Sequence, residues 1–503
     1  MFDQFSNNSQ VLPEAGKRNI LITSALPFVN NVPHLGNIIG SVLSADAFAR
    51  YCRGRGLNTL YIGGTDEYGT ATEARALVEQ CTPQDLCEKY HKIHADIYKW
   101  FNISFDIFGR TTTQLQTDIT QDIFLKLQQN GITRDIKWGT AIPLEGYEDK
   151  VIYSWFDACI GYVSITAAYT KDWEKWWRNP DDVELFQFIG KDNVVFHSVI
   201  FPGSQLGTKD KWTKLGFLST TDYLTYEGGK FSKSRGIGVF GDSAQKTGVP
   251  ADVWRYFLLS HRPENGDSEF TWESFIACNN SVLLNNFGNF VNRIVKFVHS
   301  RHYNGVIPDW TAFQDESFDP FKTEVDTLLA QYNEAFDAVK LRSSLAIVLQ
   351  ISQQGNAFLQ SQKLNNALAE LNPQKCAAVV GMAVHLVHLL ASLVSPFMPD
   401  AANSMISQLR VDLLPIPDTW EMGSIEPGHQ IGAPRYLFSR IRPEQADEWR
   451  KMFGSDEVEK LKREESLLKS KKIAAAKIKK NPQEGKLEED AAKLADKLAG
   501  TQL

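Results

Sequence analysis

Apolar residues fall into two rhythms along this chain, and the change between them divides it. Residues 19–24, NILITS, are a short apolar run with β-branched members, which predicts a buried strand. A loop rich in Pro and Asn follows, ALPFVNNVPHLGN. Then IIGSVLSADAFARYCRGRG places apolar residues at helical spacing until Gly54 and Gly56 end it. LNTLYIGG predicts a second strand that stops at the polar TDEYGT. Strand, loop, helix, strand is a βαβ unit, so a doubly wound, Rossmann-like parallel sheet is expected. Residues 83–130 read as mainly helical, and the text is irregular from Gly131 to Asp149. KVIYSWFDACIGYVSITAAY returns to strand then helix, and VELFQFIGKDNVVFHSVIF adds a strand, a polar loop and a helix start. The sheet is thus expected in two halves, 1–130 and 131–240, the second holding a Gly/Lys/Ser loop.

From about residue 250 helical spacing dominates through 407, ending in CAAVVGMAVHLVHLLASLVSPFMP. The expected class is therefore α/β plus all-α. A connecting region at 241–277 leads to a helical bundle at 278–450, and a Lys/Glu-rich tail, helical or disordered, occupies 451–503.

Composition sharpens this organisation. A length of 503 residues suggests about three domains. With 43% hydrophobic and 22% charged residues, disorder throughout is excluded. A net charge of −7 provides no global basic field, although the tail is locally basic and could hold RNA phosphates or simply be a solvated helix. Cys52, Cys81, Cys87, Cys159, Cys278 and Cys376 form no CxxC pair, so neither a disulfide framework nor a thiolate zinc knuckle is expected. No uncharged apolar run is read as approaching the 18 residues of a membrane span. No signal or transit pattern is read at the start either. The expectation is a cytoplasmic chain with no membrane partner.

Two short segments carry chemistry. His34-Leu35-Gly36-Asn37 sits between the first strand and its helix, where a glycine and free helix N–H groups admit a phosphate. Lys230-Phe231-Ser232-Lys233-Ser234 lies among glycines, a cationic loop able to close on a triphosphate. Taken singly, each reads more simply as a capped helix entry and a solvated basic turn. Together and in this order they resemble the HIGH and KMSKS signatures of class I aminoacyl-tRNA synthetases. ALPFVNNVPHLGN, GGTDEYGT, YSWFDACIGY, QFIGKDNVVFHSVIFPG, GGKFSKSRG and GNFVNR narrow the likeness. They resemble methionyl-tRNA synthetases of the eukaryotic cytosolic type, over roughly residues 18–440.

That resemblance implies ATP-dependent ligation of methionine to tRNA(Met) through a methionyl-adenylate, with Mg²⁺ accompanying ATP. It implies ATP binding by His34, Gly36, Asn37, Asp192 and Lys233, with His34, Asn37, Lys230 and Lys233 serving catalysis. Asp66 would hold the α-amino group of methionine. Ala25, Leu26, Phe28, Trp155, Ala158, Cys159, Tyr162 and His197 would form its side-chain pocket. Asn289 and Arg293, four apart on one helical face, would read the anticodon. The departures are Phe28 where many relatives have tyrosine, Cys159 where many have proline, and Asn365 about where a stacking tryptophan would fall. The family's connective insertion with its zinc knuckles is missing near Gly131, so no metal site is expected. Two other classes remain at this point: an impaired relative acting in tRNA binding or complex assembly, with the tail contacting a multi-synthetase or accessory protein, and a synthetase for another amino acid.

Overall fold

The computed structural model describes residues 10–128, 140–147, 150–152, 154–232, 235–313 and 315–454, the Trp155 side chain excepted. Five parallel strands form the main sheet: β1 (Asn19–Ser24), β2 (Asn58–Thr65), β3 (Ile107–Arg110), β4 (Val183–Gly190) and β5 (Leu215–Thr221). Their order is β3-β2-β1-β4-β5. Successive residues of a strand face opposite sides of the sheet. Ile20 and Ile22 enter one core with Tyr61, Phe186 and Phe188, while Leu21 enters another with Leu60, Ile62 and Leu185. Both faces are covered, which explains the unbroken apolar run of β1. β1 lies between β2 and β4, so strand order reverses there. Open α/β sheets hold ligands outside the carboxyl ends of their strands at such a reversal.

Three expectations change. The stretch read as helical over 83–130 is two helices, Pro83–Trp100 and Gln114–Gln128, with β3 between them. β3 is a four-residue edge strand, too short to show an alternation. KVIY adds no strand to the sheet. Val151 makes an isolated antiparallel bridge to Ala141, and helices Ser154–Asp157 and Gly161–Tyr169 follow. Finally, among the described residues one helix does reach membrane-span length and apolarity, Pro373–Val394. Its residues 376–394 are buried. Its two histidines find polar partners inside the protein, His385 at the Gly381 carbonyl and His388 at the Asp412 carbonyl. A helix apolar on every side is here the centre of the bundle.

The bundle, which includes helices Asp319–Asp337, Leu341–Ser361 and Pro399–Leu409, is joined to the sheet by a rod. Helical turns run without a break from Leu35 to Gly54, tightening to α-helix again after a π-helical stretch at Ile38–Val42. At 1.5 Å per residue the rod is about 30 Å long. Its far end is set into the bundle. The Tyr51 ring stacks on Phe336 at 4.1 Å and 2°. A Cβ on Gly54 would lie 2.8 Å from Ile416. The chain then returns: Trp449 and Phe453, on and after helix Gln445–Met452, pack on Trp272, and the Gly238 N–H donates to the Phe453 carbonyl at 3.0 Å. Residues 451–454, expected to begin the tail, thus close this helix, and the remainder of the tail lies outside the described residues.

Candidate active site

The reversal point opens into a cleft of about 510 Å³. The strand ends build its walls: Ala25, Leu26 and Phe28 follow β1, Asp66 follows β2, Asp192 follows β4 and Tyr223 follows β5. His34, Gly36 and Asn37 enter at the start of the rod, Ala158, Cys159 and Tyr162 come from around the Gly161–Tyr169 helix, and His197 comes from the π-helical turn Phe196–Ile200. Residues far apart in the sequence therefore share one cavity. Lys230 is exposed and does not line it. Lys233 and the Trp155 side chain lie outside the described residues.

Asp66 is held by its backbone. Its N–H donates to the Pro27 carbonyl at 2.9 Å and its carbonyl accepts from Val29 at 3.2 Å, which ties the β2 end to the loop after β1. It caps no helix, because the next helix, Thr70–Glu79, starts from Gly69 without a side-chain cap. The carboxylate is 4% exposed and takes the Tyr68 backbone N–H, with no cation beside it among the described residues. Burial first, then the nearby Asp157 charge, push its pKa well above the usual carboxylate range. Burial also lifts Asp157 to about 7. An arriving cation would favour its ionised form.

The apolar end of the cleft is internally satisfied. The His197 Nδ1–H donates to the Asn193 carbonyl at 2.9 Å, so Nε2 is the acceptor for the Tyr162 hydroxyl at 2.8 Å. Burial lowers the His197 pKa and keeps the ring neutral. The Cys159 thiol points at the Phe196 carbonyl, 3.7 Å away, and burial pushes it up well beyond thiol values. A wall without net charge and with a soft sulfur suits a flexible apolar group such as a thioether.

At the polar end His34 and Asn37 cap the rod reciprocally. The Asn37 N–H donates to His34 Nδ1 at 3.3 Å and the His34 N–H donates to Asn37 Oδ1 at 3.1 Å. The cap consumes both acceptors. What remains for a ligand is a donor on each side chain, His34 Nε2–H and Asn37 Nδ2–H, beside a helix N-terminus. Burial lowers the His34 pKa to about 4, so the imidazole donates as a neutral group. Gly36 is required here: a Cβ would stand 2.9 Å from His34 Cε1.

The loop after β4 is braced by a ring that sequence reasoning missed. The Tyr223 hydroxyl donates to both Asp192 oxygens at 2.8 Å, and Lys191 sits 4.2 Å over the same ring while pairing with Asp222 at 2.6 Å. His94 and Tyr98, one turn apart on helix Pro83–Trp100, also line the cleft unforeseen. Their helical spacing on a half-buried helix was indistinguishable from core. Away from the cleft, Asn289 and Arg293 are exposed on helix Asn289–Val298, with Arg293 donating to the Leu364 carbonyl at 3.1 Å. Asn365, the next residue, caps helix Asn366–Leu371 by accepting from Leu368 N–H. Among the described residues no group of three or more His, Cys, Asp or Glu side chains could hold a metal ion.

Known proteins agree with this architecture. The family model described as tRNA synthetases class I (M) matches residues 20–132 and 126–295, and that of the anticodon binding domain of methionyl tRNA ligase matches 308–458. The cytoplasmic methionine–tRNA ligase of Saccharomyces cerevisiae is 43% identical over 568 positions, covering 90% of this chain and 75% of its own. The probable cytoplasmic enzyme of Schizosaccharomyces pombe is 44% identical, at 89% and 72%. The human cytoplasmic enzyme is 42% identical, at 89% and 63%. Over a hundred of the 568 positions aligned with the yeast enzyme have no residue here, and the two class I matches meet at 126–132. The fold is shared with a Mycobacterium tuberculosis methionyl-tRNA synthetase solved with methionyl-adenylate, at a TM-score of 0.75 and 19% identity over 84% of this chain and all of that one. A five-stranded parallel sheet with its cleft at the reversal, a helical bundle behind it and matches along nearly the whole chain have one reading: the chain belongs to the methionyl-tRNA synthetase family.

Proposed function

We propose that this chain activates methionine with ATP and transfers it to tRNA(Met). The observation that carries the reading is Asp66, a buried carboxylate with no cation beside it among the described residues, in one cleft with an apolar wall and with His34, Gly36 and Asn37 at the start of the rod. The α-ammonium of methionine is the missing cation. Its side chain enters between Ala25, Leu26, Phe28, Ala158, Cys159, Tyr162 and His197. ATP, arriving with its Mg²⁺, lies against His34, Gly36 and Asn37, and Asp192 supports the nucleotide.

The reaction needs no nucleophile from the protein. The methionine carboxylate attacks the α-phosphorus, pyrophosphate leaves, and the terminal ribose hydroxyl of the tRNA then displaces AMP from the adenylate. The protein positions the reactants and stabilises charge as it moves onto pyrophosphate. His34 Nε2–H and Asn37 Nδ2–H donate there, and Lys230 and Lys233 bring cationic charge from the loop. Asn289 and Arg293 offer an amide and a guanidinium to unstacked anticodon bases. The cytoplasm is the proposed location, on the names of the relatives.

Methionine-dependent exchange of pyrophosphate into ATP tests the first step and charging of tRNA(Met) the second. The expected result is exchange, with charging slower than in a form that carries the relatives' insertion. Exchange absent from a cooperatively folded chain would overturn the reading in favour of a tRNA-binding or assembly role.

A further inference from the structure

The two signature segments touch in a way that neither needs for binding a phosphate. Phe231, second residue of the KFSKS loop, lies flat on the His34 imidazole, with ring centroids 4.7 Å apart and planes 8° apart. Phe240 meets both rings edge-on, at 6.3 Å from His34 and 6.4 Å from Phe231. Tyr226 closes on Phe231 from another side at 5.7 Å. Glycines make room for the pair. A Cβ on Gly36 would press on the edge of the His34 ring, and one on Gly238 would lie 2.3 Å from the Phe231 ring. Gly238 also has φ +108, a conformation that L side chains rarely adopt. The loop base is pinned on either side of the stack. Ser232 and Ile237 exchange two backbone hydrogen bonds of 2.9 Å, and the Gly238 N–H is held by Phe453.

We propose that Phe231 is a positioning residue for the adenylation step: it fixes the plane of the His34 imidazole so that Nε2–H is aimed into the cleft. The inference rests on the functional reading above for its chemical meaning, but the geometry stands apart from it. An imidazole held only by the 3.3 Å bond at Nδ1 can pivot about that contact. A flat ring on its face and an edge-on ring beside it remove the pivot. Stacked and edge-on ring contacts favour one orientation of the imidazole over the others. The same contact brings Phe231, at the base of the loop, to the rod entrance, so one signature orients the donor of the other. Burial lowers the imidazole's pKa, with no charged neighbour acting on it among the described residues, so its donation depends on direction rather than charge.

Two measurements test this. The first is pyrophosphate exchange by Phe231→Leu, Phe231→Tyr, His34→Ala and the double variant. Phe231→Leu is expected to lower kcat about tenfold and leave the KM for methionine within about twofold, since misalignment alone slows a positioned reaction. Phe231→Tyr keeps a flat ring and should retain the rate. In the His34→Ala background the Leu substitution should have no further effect, because its partner is gone. A full tenfold loss in that background, or an unchanged rate in Phe231→Leu alone, overturns the proposal. The second is independent of activity: ¹⁵N-histidine NMR of the whole chain. His34 should show a single neutral tautomer protonated at Nε2, and Phe231→Leu should mix the tautomers. A mixed tautomer in the unsubstituted chain overturns the proposal even if exchange is absent and the functional reading itself has failed.

Discussion

Two buried carboxylates in this molecule sit in opposite circumstances. Asp46, halfway along the rod, is fully buried and fully answered. Arg255 reaches its Oδ2 at 2.7 Å and Arg50 at 2.9 Å, and Ser104 gives Oδ1 both its N–H and its hydroxyl. Burial raises its pKa, but the two guanidiniums and the serine bonds outweigh burial and bring it down to about 2. Asp66, one strand away, is almost as buried and has one backbone N–H and no cation among the described residues. Equal burial with opposite compensation shows that partners, and not depth alone, set the charge of a carboxylate.

Breaking the answered carboxylate should have the largest effect. Asp46→Ala leaves Arg255, itself 0% exposed, without its carboxylate, and loss of one partner of a buried pair costs about 3–5 kcal/mol. Denaturant unfolding is expected to show that loss, with methionine affinity unchanged in the folded fraction. Asp66→Ala should do the reverse. Calorimetry is expected to show methionine binding weaker by about 2–5 kcal/mol, and unfolding should show stability equal or higher. If both variants lose stability and keep methionine, the contrast is void.

A remote control is smaller. Arg293→Ala should weaken charging of tRNA(Met) by about 1–3 kcal/mol in kcat/KM and leave pyrophosphate exchange untouched. Equal loss in both assays would make Arg293 a structural residue through its bond to Leu364. The smallest effect is in pH. Burial raises the Asp66 pKa in the empty site and a paired ammonium lowers it, so methionine binding should release protons between those two values and weaken as pH falls through them, by at most tenfold per unit. Titration in two buffers of different ionisation enthalpy reads that proton. Stability should move the other way for the two kinds of group. Asp46 contributes above the unfolded value near 3.8 and its contribution is lost as pH falls through about 2. Asp157, raised to about 7, favours the folded state fully below the unfolded value near 3.8, and this is lost as pH rises from there through about 7.

What was legible in the sequence was whatever is written locally. β1, β2 and β4 are continuous apolar runs because both their faces are buried, and HLGN is a self-contained cap. β3 escaped because four edge residues carry no period. The Asp46 network escaped because Arg50, Ser104 and Arg255 come from three separate stretches of chain. Tyr223 and Phe231 escaped for the same reason: an aromatic residue in a polar loop declares its partner only when the loop is folded. The uncharged run at 376–394 does reach span length, against the sequence reading, and only the fold shows that protein covers it.

The rod from Leu35 to Gly54 bears on how freely the two halves of this protein could have been exchanged. Its start carries the His34–Asn37 cap at the cleft and its last turns are packed by Phe336 and Ile416 of the bundle, while Arg255 bonds the Pro396 and Phe397 carbonyls at 2.9 and 2.7 Å. The bundle is therefore no detachable cassette. A chimera that borrows a bundle from another synthetase must borrow matching partners for Tyr51, Gly54 and Arg255 as well, or the strand of inheritance that moves with the anticodon will arrive without an active site to serve.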